Sequence, residues 1–265
     1  LAIGGPGPVT PMVEAVPDEN SVVSIDPATG DVPLLADIGA YERTVNPDPS
    51  YVDSNLYGLA VGDDGTIYVN DAGGNTTYSV PAAGGEPTVL VVHPELPLPE
   101  GMEAPPGVTG LEPVPTGIAA IDGAVLVGYL SGGPFPPGAA KVVSVALDGT
   151  ISDVGTGLTM VVDVETGPDG QLYATQLSTD FLSQPPAAGS VVRVLGDGTQ
   201  EVVVDGLMFP NGITFDQDGN LLVAVGTATG PGNGMLLRCE GIAQQAASGE
   251  GEVVVALKDV FFRPV

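Results

Sequence analysis

One position in the chain stands out because three copies of a repeated phrase place glycine there and the fourth places a carboxylate. The phrase opens at Gly58, Gly117, Asp163 and Gly212, and the residue before it is Tyr57, Thr116, Val162 or Asn211. If the repeats stack around a common axis, Tyr57, Thr116, Asp163 and Asn211 should converge at the mouth of a central channel, where ligands of such folds collect. Carboxylate and amide oxygens of the Asp163 and Asn211 type suit a hard cation, so Ca²⁺ is the expected ion, ahead of Zn²⁺. Glu165, two residues along an extended strand, would point the same way as Asp163. The competing expectation is that Asp163 accepts hydrogen bonds from backbone amides at the start of its strand and that Tyr57 packs against its neighbours.

Other reactive side chains point to plainer roles. His93 is the only histidine and opens a Pro-rich run, His93-Pro94-Glu95-Leu96-Pro97-Leu98-Pro99, so it is expected at the surface, away from any serine it could activate. Cys239, the only cysteine, ends an alternating apolar strand with Met235 and Leu237 and belongs in a core. Asp216-Gln217-Asp218-Gly219-Asn220 has part of the spacing of an EF-hand loop. It lacks the bidentate glutamate at the twelfth position, where Thr227 stands, and reads as a hairpin turn. The glycines flank hairpins and do not open helices, so no phosphate cradle is present.

The repeat itself dictates the fold. Each copy is a small-apolar alternation, an Asp-Gly turn and a second strand: Gly58 to Val61 with Asp64-Gly65 and Ile67-Tyr68-Val69; Gly117 to Ala120 with Asp122-Gly123 and Val125-Leu126-Val127; Asp163 to Thr166 with Asp169-Gly170 and Leu172-Tyr173-Ala174; Gly212 to Phe215 with Asp218-Gly219 and Leu221-Leu222-Val223. The turns recur roughly every 50 residues, and two further strands follow each copy, the length and content of a propeller blade. The expectation is an all-β β-propeller with about four complete four-stranded blades (55–92, 116–156, 161–206 and 211–258) and a partial blade at 1–38. Residues 93–115 form a Pro-rich insertion, and Ser131 to Gly138 a second one, both suited to carrying partner specificity. The last outer strand is expected at Glu252 to Ala256, with Lys258 to Val265 opening a further blade. Either the ring closes irregularly on residues 1–16 or the chain is a fragment of a larger ring. Open blade edges would then favour self-association. Helix is expected only near Gly241 to Ala247.

Charge narrows the partners. Six basic residues against 33 acidic ones give a formal charge of −27, which repels both a nucleic-acid backbone and an anionic leaflet. No apolar run approaches the length of a membrane span. The chain opens at Leu1 instead of Met, and a removed secretory segment would fit an extracellular or periplasmic protein.

Longer phrases carry a resemblance. Asp53-Ser54-Asn55-Leu56-Tyr57-Gly58-Leu59-Ala60, Asn70-Asp71-Ala72-Gly73-Gly74-Asn75, Val114-Pro115-Thr116-Gly117, Pro134-Phe135-Pro136-Pro137-Gly138-Ala139-Ala140-Lys141 and Gly167-Pro168-Asp169-Gly170 resemble the ScyD/ScyE family. That family is bacterial, propeller-like and named from the gene neighbourhood of the pigment scytonemin; the resemblance implies an exported propeller and brings no catalytic residues with it. Phe209-Pro210-Asn211-Gly212 also resembles a turn of the metal-dependent lactonase propellers of the senescence-marker type. The primary expectation is a non-catalytic secreted propeller that presents an acidic binding or scaffolding surface to a protein or small-molecule partner. The alternative is a metal-dependent hydrolase or lactonase with its site at the channel mouth.

Overall fold

The Asp-Gly phrases fold as hairpin turns. Gly65, Gly123, Gly170 and Gly219 have φ of 84°, 73°, 73° and 77°, a region open to glycine at no steric cost. In three of these hairpins an aspartate closes the turn by accepting an N–H two residues on: Asp64 from Thr66, Asp169 from Gln171 and Asp216 from Asp218.

The computed structural model describes residues 1–3, 19–49, 52–103, 106–230, 232–243 and 261–263. The chain runs through β1 (Ala2–Ile3), β2 (Ser21–Val23) and β3 (Leu34–Asp37), which form a three-stranded sheet, and then helix α1 (Ile38–Val45). Strands β4 (Leu56–Val61), β5 (Ile67–Asp71), β6 (Thr76–Val80) and β7 (Thr88–Val92) form the first four-stranded sheet. A two-stranded ribbon of β8 (Leu96–Pro97) and β9 (Gly110–Leu111) follows. The second sheet holds β10 (Pro115–Ile121), β11 (Ala124–Tyr129), β12 (Ala140–Ala146) and β13 (Ile151–Leu158). The third holds β14 (Val161–Thr166), β15 (Leu172–Gln176), β16 (Gly189–Val194) and β17 (Gln200–Leu207). The fourth holds β18 (Ile213–Phe215), β19 (Leu221–Val225), β20 (Met235–Cys239) and β21 (Phe261–Arg263). Every sheet runs in chain order, and each copy of the repeat supplies the first two strands of its own sheet. This is the blade arrangement of a β-propeller.

Two compact units emerge from the packing. The first comprises residues 1–95, 112–127 and 144–151. Its core gathers Val22, Ile38, Leu56, Val69, Tyr78 and Val80, and β10 packs against β4 and β5. The second comprises residues 96–111, 128–143 and 152–265, with a core of Tyr173, Val191, Val204, Leu207, Leu221, Val223, Leu237 and Cys239. Burying each of the Val, Leu and Ile side chains among these contributes about 1.5–3 kcal/mol, which helps hold the short strands in place.

Three expectations need correction. Helix α1 was not anticipated; Asp37 caps it by accepting the Ala40 N–H at 2.7 Å, and Asn46 ends it in a left-handed conformation. The Pro-rich insertion after residue 93 contains the β8–β9 ribbon, in which Leu96 pairs with Leu111. At the C-terminal end, Phe261–Arg263 closes the fourth sheet against β20, with Leu237 opposite Phe262, instead of opening a further blade. An unpaired edge of β20 would leave its backbone groups without partners, and β21 supplies them. The strand expected at Glu252 to Ala256, like most of the expected helix near Gly241 to Ala247, lies outside the described residues. No helix among the described residues is long and apolar enough to cross a membrane.

Candidate functional site

Asp163 sits near the start of β14, just past an irregularity in its pairing with β15, and its side chain leaves its own sheet for the next strand of the chain's third repeat boundary. Asp163 Oδ1 accepts the Val164 N–H at 2.9 Å and Oδ2 accepts the Ile213 N–H at 2.8 Å. The carboxylate thus ties β14 to the first residue of β18. Burial pushes its pKa up to about 6; the Ile213 and Val164 amides act against the rise and nearby Glu165 adds to it. Glu165 is also raised by burial, with the Thr214 hydroxyl working in the opposite sense.

The glycine positions of the repeat now separate into two kinds. A β-carbon on Gly58 would lie 2.3 Å from the Thr116 carbonyl oxygen, so glycine there lets β4 and β10 approach closely. A β-carbon on Gly212 would meet only Asp163 Oδ2, at an ordinary 3.9 Å. Space is therefore left beside the carboxylate in the second unit. The turn into β18 that carries Asn211 borders it; the Asn211 N–H donates to Ala224 O, and Phe209 holds a left-handed φ of 42°. Met160, just before β14, has the same conformation with φ 48°. Such backbone costs about 1–2 kcal/mol per residue and persists where surrounding packing enforces it.

Tyr57 and Thr116 belong to the first unit. Tyr57 on β4 is exposed, whereas Thr116 on β10 is buried and its carbonyl accepts from Asn70 Nδ2 at 2.9 Å. Asn70 Nδ2 also reaches Gly117 O, which turns Asn70 Oδ1 toward Thr77; the Thr77 hydroxyl donates to it at 2.6 Å. Having spent its one proton, that hydroxyl accepts from His93 Nε2 at 2.8 Å, which places a hydrogen on Nε2. His93 is only 3% exposed, which corrects the expectation that it lies at the surface. Its N–H continues the β6–β7 pairing by donating to Asn75 O, and that carries the ring inward before Pro94 turns the chain. Burial pulls its pKa down to about 3. It is a structural histidine. In the same unit Asp71, fully buried, accepts from the Ser54 hydroxyl and from the Asn55, Gly73 and Gly74 amides, and Glu42, pushed up to about 7 by burial, accepts from Tyr78.

Among the described residues, carboxylates do not gather in a set of three around Asp163. Calcium takes six to eight oxygens. Each Asp163 oxygen holds one backbone amide and keeps a second lone-pair direction, and no group of three or more His, Cys, Asp or Glu side chains among the described residues could hold an ion. The Asp216 turn is also spent, since its carboxylate takes the Asp218 and Asn220 amides and the Arg238 guanidinium, and these bonds hold its pKa down to about 2.

One residue was missed from sequence. Thr175 stands directly opposite Asp163 in the β14–β15 pairing, with its side chain fully buried. The hairpin register set by the Asp169-Gly170 turn was the signal that could have found it, because paired residues share a face.

Elsewhere in the second unit, a cleft of about 310 Å³ runs between the two Pro-rich segments. Leu96 to Pro99 and Pro137 to Lys141 line it, and Lys141 Nζ meets Asp153 Oδ1 there at 2.6 Å.

With this geometry in hand, comparison with known proteins is informative. Residues 116–258, which include Asp163, Thr175 and Asn211, match the family described as the SMP-30/Gluconolactonase/LRE-like region. No curated protein sequence matches at a significant level. Among solved structures, the nidogen/laminin complex is similar at 18% identity and a TM-score of 0.51, covering 91% of this chain and 80% of that one. Streptogramin B lyase is similar at 19% identity and a TM-score of 0.50, covering 83% of this chain and 70% of that one. A putative gluconolactonase aligns at 16% identity and a TM-score of 0.49 over 80% of this chain and 63% of that one, so this chain spans less than two thirds of its length. At such identities the likeness establishes the propeller fold alone.

Proposed function

The chain belongs to the SMP-30/Gluconolactonase/LRE-like family, and on that premise we propose that it hydrolyses a lactone or a related ester, with Asp163 as the general base. One observation carries the reading: a half-buried carboxylate near neutral pKa, fixed by two backbone amides, with open room beside it at Gly212. A base of pKa about 6 is mostly ionised at pH 7 yet still basic enough to take a proton in the transition state.

The chemistry balances without any other group. Asp163 removes a proton from water as its oxygen bonds to the lactone carbonyl carbon. The tetrahedral intermediate then expels the ring oxygen, and the proton on Asp163 passes to that alkoxide, leaving a hydroxy acid and the free carboxylate. The product ionises to an anion, and a protein of charge −27 repels it, which favours release.

The expected result is turnover of a six-membered aldonolactone that falls about 10²–10⁴-fold in Asp163→Asn, the usual span of general-base catalysis, with the folded far-UV spectrum unchanged. Turnover equal to wild type in that variant defeats the assignment.

A second reading draws on the proline-lined cleft in the second unit: an exported propeller, as the ScyD/ScyE resemblance suggests, that also docks a protein or small-molecule partner there. Lactone hydrolysis is preferred because the family match covers the Asp163 region.

A further inference from the structure

In the last turn of helix α1 the buried side chain is a carboxylic acid. Ile38, Gly39 and Glu42 form the inward face of the helix, whereas Arg43, Thr44 and Val45 are exposed. The first turn is fastened by Ile38, which sits in the core of the first unit, and by the Gly39 N–H, which donates to Asn20 O at 2.9 Å. The last turn depends on Glu42. That side chain is 1% exposed; its Oε2 accepts the Tyr78 hydroxyl at 2.9 Å and its Oε1 accepts the Asn46 side-chain amide at 2.9 Å. The charged groups that bear on it are acidic: Asp71 on β5, and Asp48 and Asp53 on the segment after α1. Arg43, the base of the helix, turns away, with Nη1 3.2 Å from the point that a β-carbon on Gly39 would occupy. Tyr41 packs edge-on against the Tyr78 ring at 5.8 Å. An ionised Glu42 would therefore be a buried anion beside three further carboxyls, with no counter-charge among the described residues at its side.

We propose that the last turn of α1 is a proton-operated latch, docked on β5 and β6 while Glu42 is neutral and released to water when Glu42 ionises. A neutral carboxyl accepts both hydrogen bonds without burying a charge. The anion gains by reaching water, and a helix of eight residues has little stability of its own with which to resist. Ile38 and the Asn20 contact hold the first turn, so the chain bends between them and Glu42. In the docked state burial foremost, with Asp71, Asp48 and Asp53 adding to it, pushes the Glu42 pKa from 4.5 up to about 7, and the Tyr78 hydrogen bond acts against the rise. The docked turn therefore keeps its proton where the released one gives it up. Docking is fullest below pH 4.5 and is lost as pH rises through about 7. By linkage the opening constant climbs by up to tenfold per pH unit over that interval and then levels, about 10–100-fold in all from pH 5 to pH 8. His93, in the same unit, acts in the opposite sense and on the whole fold, so the latch is read against the strands it docks on.

The test is amide hydrogen exchange on the full chain between pH 5 and pH 8, in wild type, Glu42→Gln and Tyr78→Phe. Rates are expressed as protection factors, so that the intrinsic pH dependence of exchange divides out. In wild type the amides of residues 42–46, among them the Asn46 N–H that donates to Glu42 O, should lose about 10–100-fold of their protection as pH rises, while the amides of β5 and β6 change by less than about threefold. Glu42→Gln cannot ionise, and its protection at 42–46 should stay constant within about threefold. Tyr78→Phe removes the hydrogen bond that favours the anion, so the midpoint of the loss should move to higher pH. That variant carries the comparison if Glu42→Gln does not fold. Protection at 42–46 that is flat with pH in wild type overturns the latch. So does a loss shared equally by β5 and β6, a loss that persists in Glu42→Gln, or a midpoint that Tyr78→Phe leaves in place.

Discussion

The buried imidazole of His93 makes a quantitative prediction about stability. Its pKa is about 3 in the folded chain against 6.5 for an exposed ring, so below pH 6.5 the unfolded chain binds a proton that the folded one refuses. Its contribution is fully present above pH 6.5 and is lost as pH falls, at about 1.4 kcal/mol per pH unit. Between pH 7 and pH 4 this amounts to roughly 3 kcal/mol. Glu42 and Asp163 act in the opposite direction, because their raised carboxyl pKa values of about 7 and about 6 make the folded state bind protons first and gain stability on acidification. A raw stability curve mixes these terms; the difference from His93→Gln isolates the histidine. Glutamine keeps an N–H donor in reach of Thr77 Oγ1, cannot titrate, and should cost about 1–2 kcal/mol at pH 7 through less complete filling. By pH 4 the gap should have moved by roughly 3 kcal/mol in favour of the variant. Urea unfolding followed by far-UV circular dichroism measures both, which suits a chain without tryptophan. Parallel curves from pH 7 to pH 4 would refute the buried neutral imidazole.

The two kinds of repeat glycine give a paired test. Gly58→Ala forces a methyl to within 2.3 Å of a backbone oxygen and should cost about 3 kcal/mol or more, while Gly212→Ala should lie within about 1 kcal/mol of wild type and still lower kcat/KM by narrowing the approach to Asp163; thermal melts and lactone kinetics read both. Chelation should leave the melting temperature unchanged, whereas Asp163→Ala should cost about 1–3 kcal/mol by stranding the Ile213 and Val164 amides; a melt that drops with chelator in wild type alone would reveal a bound ion.

Much of the fold was readable because its turns are chemically specific. Asp-Gly at Asp64, Asp122, Asp169 and Asp218 demands positive φ, and the alternation on either side leaves one sheet per repeat as the solution. Asp163 was readable as the odd carboxylate in a column of glycines. What it touches was not, because the Ile213 amide lies 50 residues away and only the packing of β14 beside β18 brings it near. Helix α1 escaped notice because Gly39, Thr44 and Val45 are weak helix formers. Its stability comes from the Asp37 cap and from burying Ile38 and Glu42, which are tertiary effects. His93 was misplaced for a related reason: a lone polar residue before a proline reads as loop, and the Asn70–Thr77 chain of hydrogen bonds that helps make its burial tolerable is a tertiary arrangement.

The pH dependence of lactone hydrolysis tests the central claim most directly. Lactones also open spontaneously in base, so the enzymatic rate is taken as the excess over a protein-free control at each pH. The account predicts a kcat/KM that rises tenfold per pH unit below about 6, levels above it, and is absent in Asp163→Asn. An excess rate that is zero at every pH, or one that keeps its inflection near 6 in Asp163→Asn, would contradict it.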